Sequence, residues 1–177
     1  MNMPGPYTWV PPAYWYADKE GGAFGFNSEA SAGASIPLLE DLTRMLSPQE
    51  LEALWKSPEV RQYHAGADWS KFASIAPFDT ALATRYGAPR SLADYVAKSQ
   101  LENYDNVRAQ FEGFTAHMDA GKPATGVIYW MLNNAWPSLI WHLYDYYLRP
   151  GGGYFGTTAA CEPLHVQYPD DDRTIVI

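Results

Sequence analysis

The sequence predicts an α/β fold, because two apolar, strand-like segments are each followed by a helical pattern. The first segment begins at Phe24 and ends at Glu29, and the residues over 36–46 then follow helical spacing. The second segment, Thr125–Leu132, is continuously apolar, as expected of a strand buried on both faces, and Leu139–Leu148 fits a following helix. We therefore expect the two segments to pair as parallel strands.

Further helices are predicted between the two strands. Ser47-Pro48-Gln49-Glu50 has the form of a capping box with proline at the first helical position. Pro77–Tyr86 is predicted to be helical and to end at Gly87. Ser91 is predicted to cap the longest helix, which continues to about Met118. Residues 64–72 are predicted to form a loop.

The chain changes character at residue 163. Pro163–Tyr168 alternates like a strand, 170–172 forms a predicted turn, and 174–177 is a second predicted strand. Two βα units are too few to close a barrel of eight. The sequence therefore predicts the last two βα units of a (β/α)8 barrel over 1–162 and the first strands of a β-sandwich over 163–177. The earlier part of the barrel is expected in a longer parent chain.

Composition argues against several classes of function. A net charge of -8 and a pI of about 4.8 argue against nucleic-acid binding, and they are compatible with a cationic amino sugar. The single cysteine, Cys161, excludes an internal disulfide framework and a CxxC metal site. No His and acid pair has metal-ligand spacing, so we expect no metal and no cofactor. We also expect no membrane span, because no apolar run reaches about 18 residues.

Aromatic residues make up 15% of the chain, and many of them lie in the first 23 residues. Prolines alternate with these rings and prevent a helix, so the segment is predicted to be an extended loop. Two interpretations remain open. The rings either face a flat ligand such as a sugar or pack into the core.

One carboxylate, Glu29, ends the first strand among small residues. An acid at the C-terminal end of a barrel strand, followed by a Gly/Ser/Ala loop, is typical of a catalytic carboxylate. The alternative is a capping or solvated glutamate after an edge strand. Asn133, Asn134 and Trp136 follow the second strand in the same way, so both strand ends carry polar or aromatic groups.

Four segments together resemble the exo-β-D-glucosaminidases of glycoside hydrolase family 2: Trp9–Tyr16, Gly25–Gly33, Ile128–Trp136 and Glu162–Tyr168. The W-x-L-N-x-x-W core of the third also resembles the related β-mannosidases. The resemblance covers nearly the whole chain in order. It implies a large retaining glycosidase with a TIM barrel followed by an immunoglobulin-like domain, and it fits a secreted or periplasmic parent protein.

The same resemblance implies roles for individual residues. Glu29 matches the nucleophile at the end of the seventh strand, and Trp130 matches the eighth-strand tryptophan that lies against the sugar. The other expected substrate contacts are Trp15, Asn27, Asn133 and Trp136. The nucleophile must stay ionised, so we expect Asn27 or Ser28 to donate hydrogen bonds to it. The acid/base carboxylate of the family lies upstream of this chain.

Three functions are therefore considered. The first is a fragment of a retaining hydrolase for β-linked glucosamine in chitosan-type oligosaccharides, which carries the nucleophile, lacks the acid/base and is inactive alone. The second is a β-mannosidase or endo-β-mannosidase fragment. The residues Met131 and Leu132 between Trp130 and Asn133 resemble the glucosaminidase motif more closely than the mannosidase motif. The third is a non-catalytic carbohydrate-binding or interaction module, in which Glu29 is only a polar contact.

Overall fold

The computed structural model describes residues 5–57, 74–169 and 174–177. After a 3₁₀ turn at Pro12–Tyr14, its elements are β1 (Gly25–Ala30), α1 (Leu39–Met45), α2 (Pro48–Lys56), α3 (Ala76–Tyr86), α4 (Leu92–Ala116), β2 (Ala124–Tyr129) and α5 (Gly152–Ala160). The loop predicted over 64–72 and the turn predicted over 170–172 lie outside the described residues.

The strands β1 and β2 pair in parallel, as predicted, and form the sheet of the described region. Gly25 pairs with Ala124, and Ala30 pairs with Tyr129. α4 covers one face of this sheet, where Ala30, Tyr129 and Phe111 pack in one cluster. The expectation that β2 is buried on both faces is wrong for this chain, because Ile128 is 53% exposed on the side away from that helix. The α/β class with a parallel strand pair is confirmed.

Two helices, α2 and α4, begin where their local signals predict. The capping box at the start of α2 is complete: the Glu50 amide donates to Ser47 Oγ over 3.3 Å, and the Ser47 amide donates to Glu50 Oε2 over 2.7 Å. Ser91 caps α4, with its hydroxyl accepting from the Asp94 amide over 3.1 Å. Among the helices of the described residues, none has both the length and the apolar content that a bilayer crossing requires.

The helix predicted over Leu139–Leu148 does not form. Trp141 and Leu148 adopt φ values of 69° and 63°, which an α-helix does not contain. Backbone groups of the segment bond to distant residues instead: the Trp141 amide donates to Gly33 O over 2.8 Å, and the Leu143 amide donates to Met131 O over 3.2 Å. The segment is rich in apolar residues because it is irregular and buried in the fold. The spacing of these residues happens to resemble that of one face of a helix.

The end of the chain contains one antiparallel bridge. The Gln167 and Val176 amides donate to each other's carbonyls over 2.9 and 3.1 Å. This bridge agrees with the expected pairing of 163–168 with 174–177. The assignment of these residues to an immunoglobulin-like domain stays a prediction.

The aromatic N-terminal segment is anchored largely on α4. The Trp9 indole donates to Glu102 Oε1 over 2.8 Å, and the Tyr16 hydroxyl donates to Glu112 Oε2 over 2.8 Å. Tyr16 is 3% exposed, so this part of the segment belongs to the core. The core interpretation is therefore correct for Trp15 and Tyr16, and Trp9 and Tyr14 pack partly buried against the core.

Candidate functional site

The C-terminal ends of β1 and β2 meet at one edge of the sheet. The Trp130 amide, just beyond β2, donates to the carbonyl of Ala30, the last residue of β1, over 2.8 Å. The loops beyond both strands also pair, through a bridge between Ala34 and Ile140. Half-buried Glu29 is the second-last residue of β1 and lies at this edge.

The Glu29 carboxylate accepts a short hydrogen bond from Tyr7, whose hydroxyl lies 2.5 Å from Oε1. Burial raises the pKa of Tyr7 to about 12, and the hydrogen bond and negative charge of Glu29 add to this effect. The phenol therefore stays protonated at neutral pH and remains a donor. The hydrogen bond holds the carboxylate in a fixed orientation.

Three consecutive carbonyls hold the segment that carries Tyr7. Gly5 O accepts from Asn27 Nδ2 over 3.1 Å, and Pro6 O accepts from the Ser31 amide over 2.8 Å. Tyr7 O accepts from the indole of Trp141 over 2.7 Å. Donors from β1, from the loop after it and from the loop after β2 thus fix the phenol against Glu29.

Asn27 has a different role from the predicted one. Its side chain is 2% exposed, and its Oδ1 accepts from the Glu29 amide over 3.2 Å while its Nδ2 is bound to Gly5 O. Both polar ends are therefore used by backbone groups, and Asn27 neither donates to the carboxylate nor reaches a ligand. It positions the backbone on each side of the contact between Tyr7 and Glu29.

Trp15 also differs from its prediction as a substrate contact. Its side chain is fully buried, and its indole donates to Asn106 Oδ1 on α4 over 2.7 Å. A ligand cannot reach a ring with no exposed surface. Trp15 is a core residue that joins the N-terminal segment to α4.

Trp130 is accessible and is linked to Glu29 through two other rings. It is 39% exposed and stands edge-to-face against Trp141, with ring centroids 6.5 Å apart. Trp141 in turn stands edge-to-face against Tyr7 at 6.1 Å. A row of aromatic contacts therefore runs from the donor on Glu29 to an exposed indole, which suits a sugar platform.

The loop beyond β2 presents Asn133 and Trp136 on its surface, and Trp136 is 40% exposed. The neighbouring Asn134 is buried, donates to Ile140 O over 3.2 Å and has its Oδ1 2.5 Å from His142 Nδ1. Burial lowers the pKa of His142 to about 4, so its ring is neutral. Asn134 and His142 thus close the loop that carries the two predicted contacts.

Sequence reasoning missed Tyr7, Trp141 and His142 as residues of this site. The sequence feature that could have pointed to Tyr7 is its position in the aromatic N-terminal segment, for which a ligand-facing role was one of two interpretations. No motif distinguishes Trp141 or His142: the partner of Trp141 is 134 residues away, and the partner of His142 lies in the same irregular segment, whose conformation periodicity does not predict.

Sequence comparisons match the whole chain to segments of known glycosidases. The chain is 58% identical over its whole length to an exo-β-D-glucosaminidase of Streptomyces avermitilis and 48% identical to that of Amycolatopsis orientalis. A mannosylglycoprotein endo-β-mannosidase of Lilium longiflorum is 30% identical over 92% of the chain. The chain spans only 20%, 17% and 17% of these three relatives. No family model matches the chain.

Solved structures agree with these matches. The crystal structure of Amycolatopsis orientalis exo-chitosanase CsxA superposes with a TM-score of 0.89 at 47% identity and covers 99% of this chain, which corresponds to 21% of that protein. A β-mannosidase of Dictyoglomus thermophilum, with a TM-score of 0.64 and 16% identity, shows the likeness of fold alone. In sequence and fold, the chain belongs to the exo-β-D-glucosaminidase-like members of glycoside hydrolase family 2, with a more distant relationship to the β-mannosidases.

Proposed function

We propose that this chain supplies the nucleophile and part of the sugar platform of a retaining glycoside hydrolase that acts on β-linked glucosamine in chitosan-type substrates. The observation that carries the proposal is the Glu29 carboxylate at a strand end, oriented by the Tyr7 hydroxyl over 2.5 Å. The exposed indole of Trp130 beyond the adjacent strand supports it. So do the relatives at 58% and 48% identity, which are exo-β-D-glucosaminidases.

The proposed chemistry takes two steps. Glu29 attacks the anomeric carbon while a carboxylic acid protonates the leaving oxygen, which forms a covalent glycosyl ester. Water, activated by the second carboxylate, then hydrolyses the ester with net retention of configuration. Tyr7 donates to Oε1 of Glu29, and the proposal assigns the attack to the other oxygen, Oε2. The Tyr7 hydroxyl, whose pKa burial raises to about 12, stays protonated and remains the donor to Oε1.

The second carboxyl group is proposed to come from outside this chain. The chain spans about one fifth of its relatives' length, and a retaining pair requires carboxyls roughly 5–5.5 Å apart. We propose that residues 1–162 are the C-terminal portion of a TIM-barrel domain and that 163–177 begin the next domain. Without the partner acid, the isolated chain should lose roughly 10²–10⁴-fold in rate, together with the rest of the pocket.

The sugar is proposed from charge and from the relatives. The net charge of -8 favours a cationic amino sugar over a neutral one. The lily endo-β-mannosidase at 30% identity is the observation that favours a β-mannoside instead. Comparing the hydrolysis of p-nitrophenyl β-D-glucosaminide and β-D-mannoside by the complete gene product separates the two substrates.

The nucleophile is tested by covalent trapping. A fluorinated or epoxide glycoside inactivator is applied to this chain and to the complete gene product, followed by peptide mass mapping. We expect labelling at Glu29 in the complete product, loss of the label in Glu29→Gln, and an unchanged label in Glu20→Gln, a matched change at an exposed glutamate nearby.

Other labelling patterns reject parts of the proposal. A label on another carboxylate of the complete product rejects Glu29 as the nucleophile. A folded, soluble product that carries no label and hydrolyses neither glycoside favours the non-catalytic binding module. Labelling and turnover by the isolated chain would reject the need for a second carboxyl from elsewhere.

A further inference from the structure

Trp141 adopts a backbone conformation that a bulky side chain seldom tolerates. Its φ is 69°, in the left-handed region, although its side chain is among the largest. Backbone bonds on both sides hold it there: its amide donates to Gly33 O over 2.8 Å, and its carbonyl accepts from the Met131 amide over 2.6 Å. One residue therefore joins the loop after β1 to the segment after β2. Such conformations persist where the surroundings over-determine them, and they concentrate at functional sites.

The Trp141 side chain contacts both parts of the proposed site. Its indole N–H donates to Tyr7 O over 2.7 Å, and its ring lies edge-to-face against the Tyr7 ring with centroids 6.1 Å apart. On another side it lies edge-to-face against Trp130 at 6.5 Å and 70°. The donor to Glu29 and the exposed indole thus share one buried neighbour, which is itself 6% exposed.

We propose that Trp141 is a positioning residue that sets the Tyr7 hydroxyl on Glu29 and the plane of the Trp130 ring together. The proposal rests on the proposed function, in which Tyr7 orients the nucleophile and Trp130 carries the sugar. A misplacement on the order of 1 Å in such groups is enough to slow catalysis substantially. In this role Trp141 acts through its two neighbours, Tyr7 and Trp130.

Trp15 provides an internal comparison for this role. It is fully buried, and its indole makes one 2.7 Å hydrogen bond, to Asn106, which matches the bond from Trp141 to Tyr7. Its φ of -70° is ordinary, so burial of a tryptophan in this chain does not itself require a left-handed backbone. The two residues therefore differ in what they position, while their burial and hydrogen bonding are alike.

A double-mutant cycle in the complete gene product tests the proposal. Trp141→Phe, which keeps an aromatic ring and removes the N–H donor, is combined with Tyr7→Phe, and Trp15→Phe is the matched control. We expect Trp141→Phe to lower kcat roughly tenfold or more in the parent background and by a clearly smaller factor when Tyr7 is already Phe, because only the contribution through Trp130 then remains. The effect of Trp15→Phe should be the same in both backgrounds, because Trp15 does not act through Tyr7.

A second measurement does not depend on catalysis. The hydroxyl of Tyr7 is titrated by NMR with ¹³Cζ-labelled tyrosine, and its signal is assigned from Tyr7→Phe. The pKa of Tyr7, which burial, the hydrogen bond and the charge of Glu29 raise to about 12, should fall in Trp141→Phe and stay unchanged in Trp15→Phe, because only the former weakens the contact of the phenol with Glu29. If Trp141→Phe does not fold, 3-benzothienylalanine at position 141 keeps the ring shape and removes the N–H alone.

The proposal is overturned if Trp141→Phe lowers kcat by the same factor in both backgrounds, or if the titration of Tyr7 is unchanged. Either result would make Trp141 an ordinary core tryptophan. A wild-type product that is labelled away from Glu29 would instead reject the proposed function, and the Tyr7 titration would still decide the role of Trp141.

Discussion

Replacing His142 with glutamine should remove a large part of the acid sensitivity of folding. The ring is 3% exposed, and its Nδ1 lies 2.5 Å from Asn134 Oδ1. An amide oxygen only accepts hydrogen bonds, so Nδ1 carries the hydrogen in this contact. A second proton would place a charge in a buried site, which is why burial lowers the pKa of His142 from 6.5 to about 4.

The sign and size of the effect follow from that shift. Because the folded-state pKa is the lower one, the unfolded chain binds more protons between these two values, and the free energy of unfolding falls as the pH falls. The stabilising contribution is complete above pH 6.5 and is lost on acidification toward pH 4, which corresponds to about 3 kcal/mol over the interval. Glutamine does not titrate, and its amide can still donate to Asn134.

Urea unfolding of the wild type and of His142→Gln at about pH 7, 5.5 and 4.5 measures this difference. The variant should lose about 2–3 kcal/mol less than the wild type between the extremes. His117→Gln is the matched control, since His117 is only half-buried and bonds Gly113 O at the end of α4. Parallel pH dependences for all three proteins would refute the argument that His142 is buried in the neutral form.

Three further predictions concern stability. Gly33→Ala should lower the free energy of unfolding by about 2 kcal/mol or more, because φ is 83° and a Cβ would lie 2.3 Å from Trp9 N. Gly25→Ala is the control, with φ 57° and no atom within 4 Å of the added Cβ, and it should cost only about 1 kcal/mol. Equal losses in their thermal midpoints would rule out the close approach at Gly33. Burial raises the pKa of Asp79 to about 6, and the hydrogen bond from Tyr95 partly offsets this effect. The contribution of Asp79 to the free energy of unfolding is therefore complete below pH 3.8 and is lost as the pH rises through 6. Asp79→Asn should therefore gain about 1–2 kcal/mol relative to the wild type between pH 4 and 7, and a constant difference over pH would contradict this. Ser47→Ala should cost about 1 kcal/mol by removing the cap of α2, while Ser57→Ala beyond its other end should be neutral within error, both measured by urea unfolding.

The elements that depend on local bonds were predictable from the sequence. Ser47 and Ser91 both cap helices through side-chain bonds to residues three positions ahead, and a capping signal encodes such bonds directly. The parallel pairing of β1 with β2 also followed, because a crossover of several helices joins the two strands. The helix predicted over Leu139–Leu148 was wrong because hydrogen bonds to Gly33 and Met131 determine the conformation of this segment. The spacing of apolar residues carries no information on such distant partners.

The site was only partly predictable for the same physical reason. Glu29 could be placed at a strand end from its neighbours, but its donor Tyr7 is 22 residues away in sequence. Trp15 and Trp130 are the same residue type, and only the folded structure shows that Trp15 packs in an apolar cluster and bonds Asn106. The identity of the accessible ring was therefore decided by tertiary packing.

The start of α5 has a consequence for the order in which the chain folds. Its cap residue, Gly151, has no side chain, and the first two amides, of Gly152 and Gly153, are bound by Gln100 and Asn103 of α4, each over 2.7 Å. A Cβ on Gly152 would lie 2.0 Å from Gln100 O, so the two backbones are in direct contact. A short helix without its own start signal does not nucleate alone. Formation of α5 must therefore wait for α4, and the amide hydrogens of Gly152 and Gly153 should exchange with solvent only when the two helices separate.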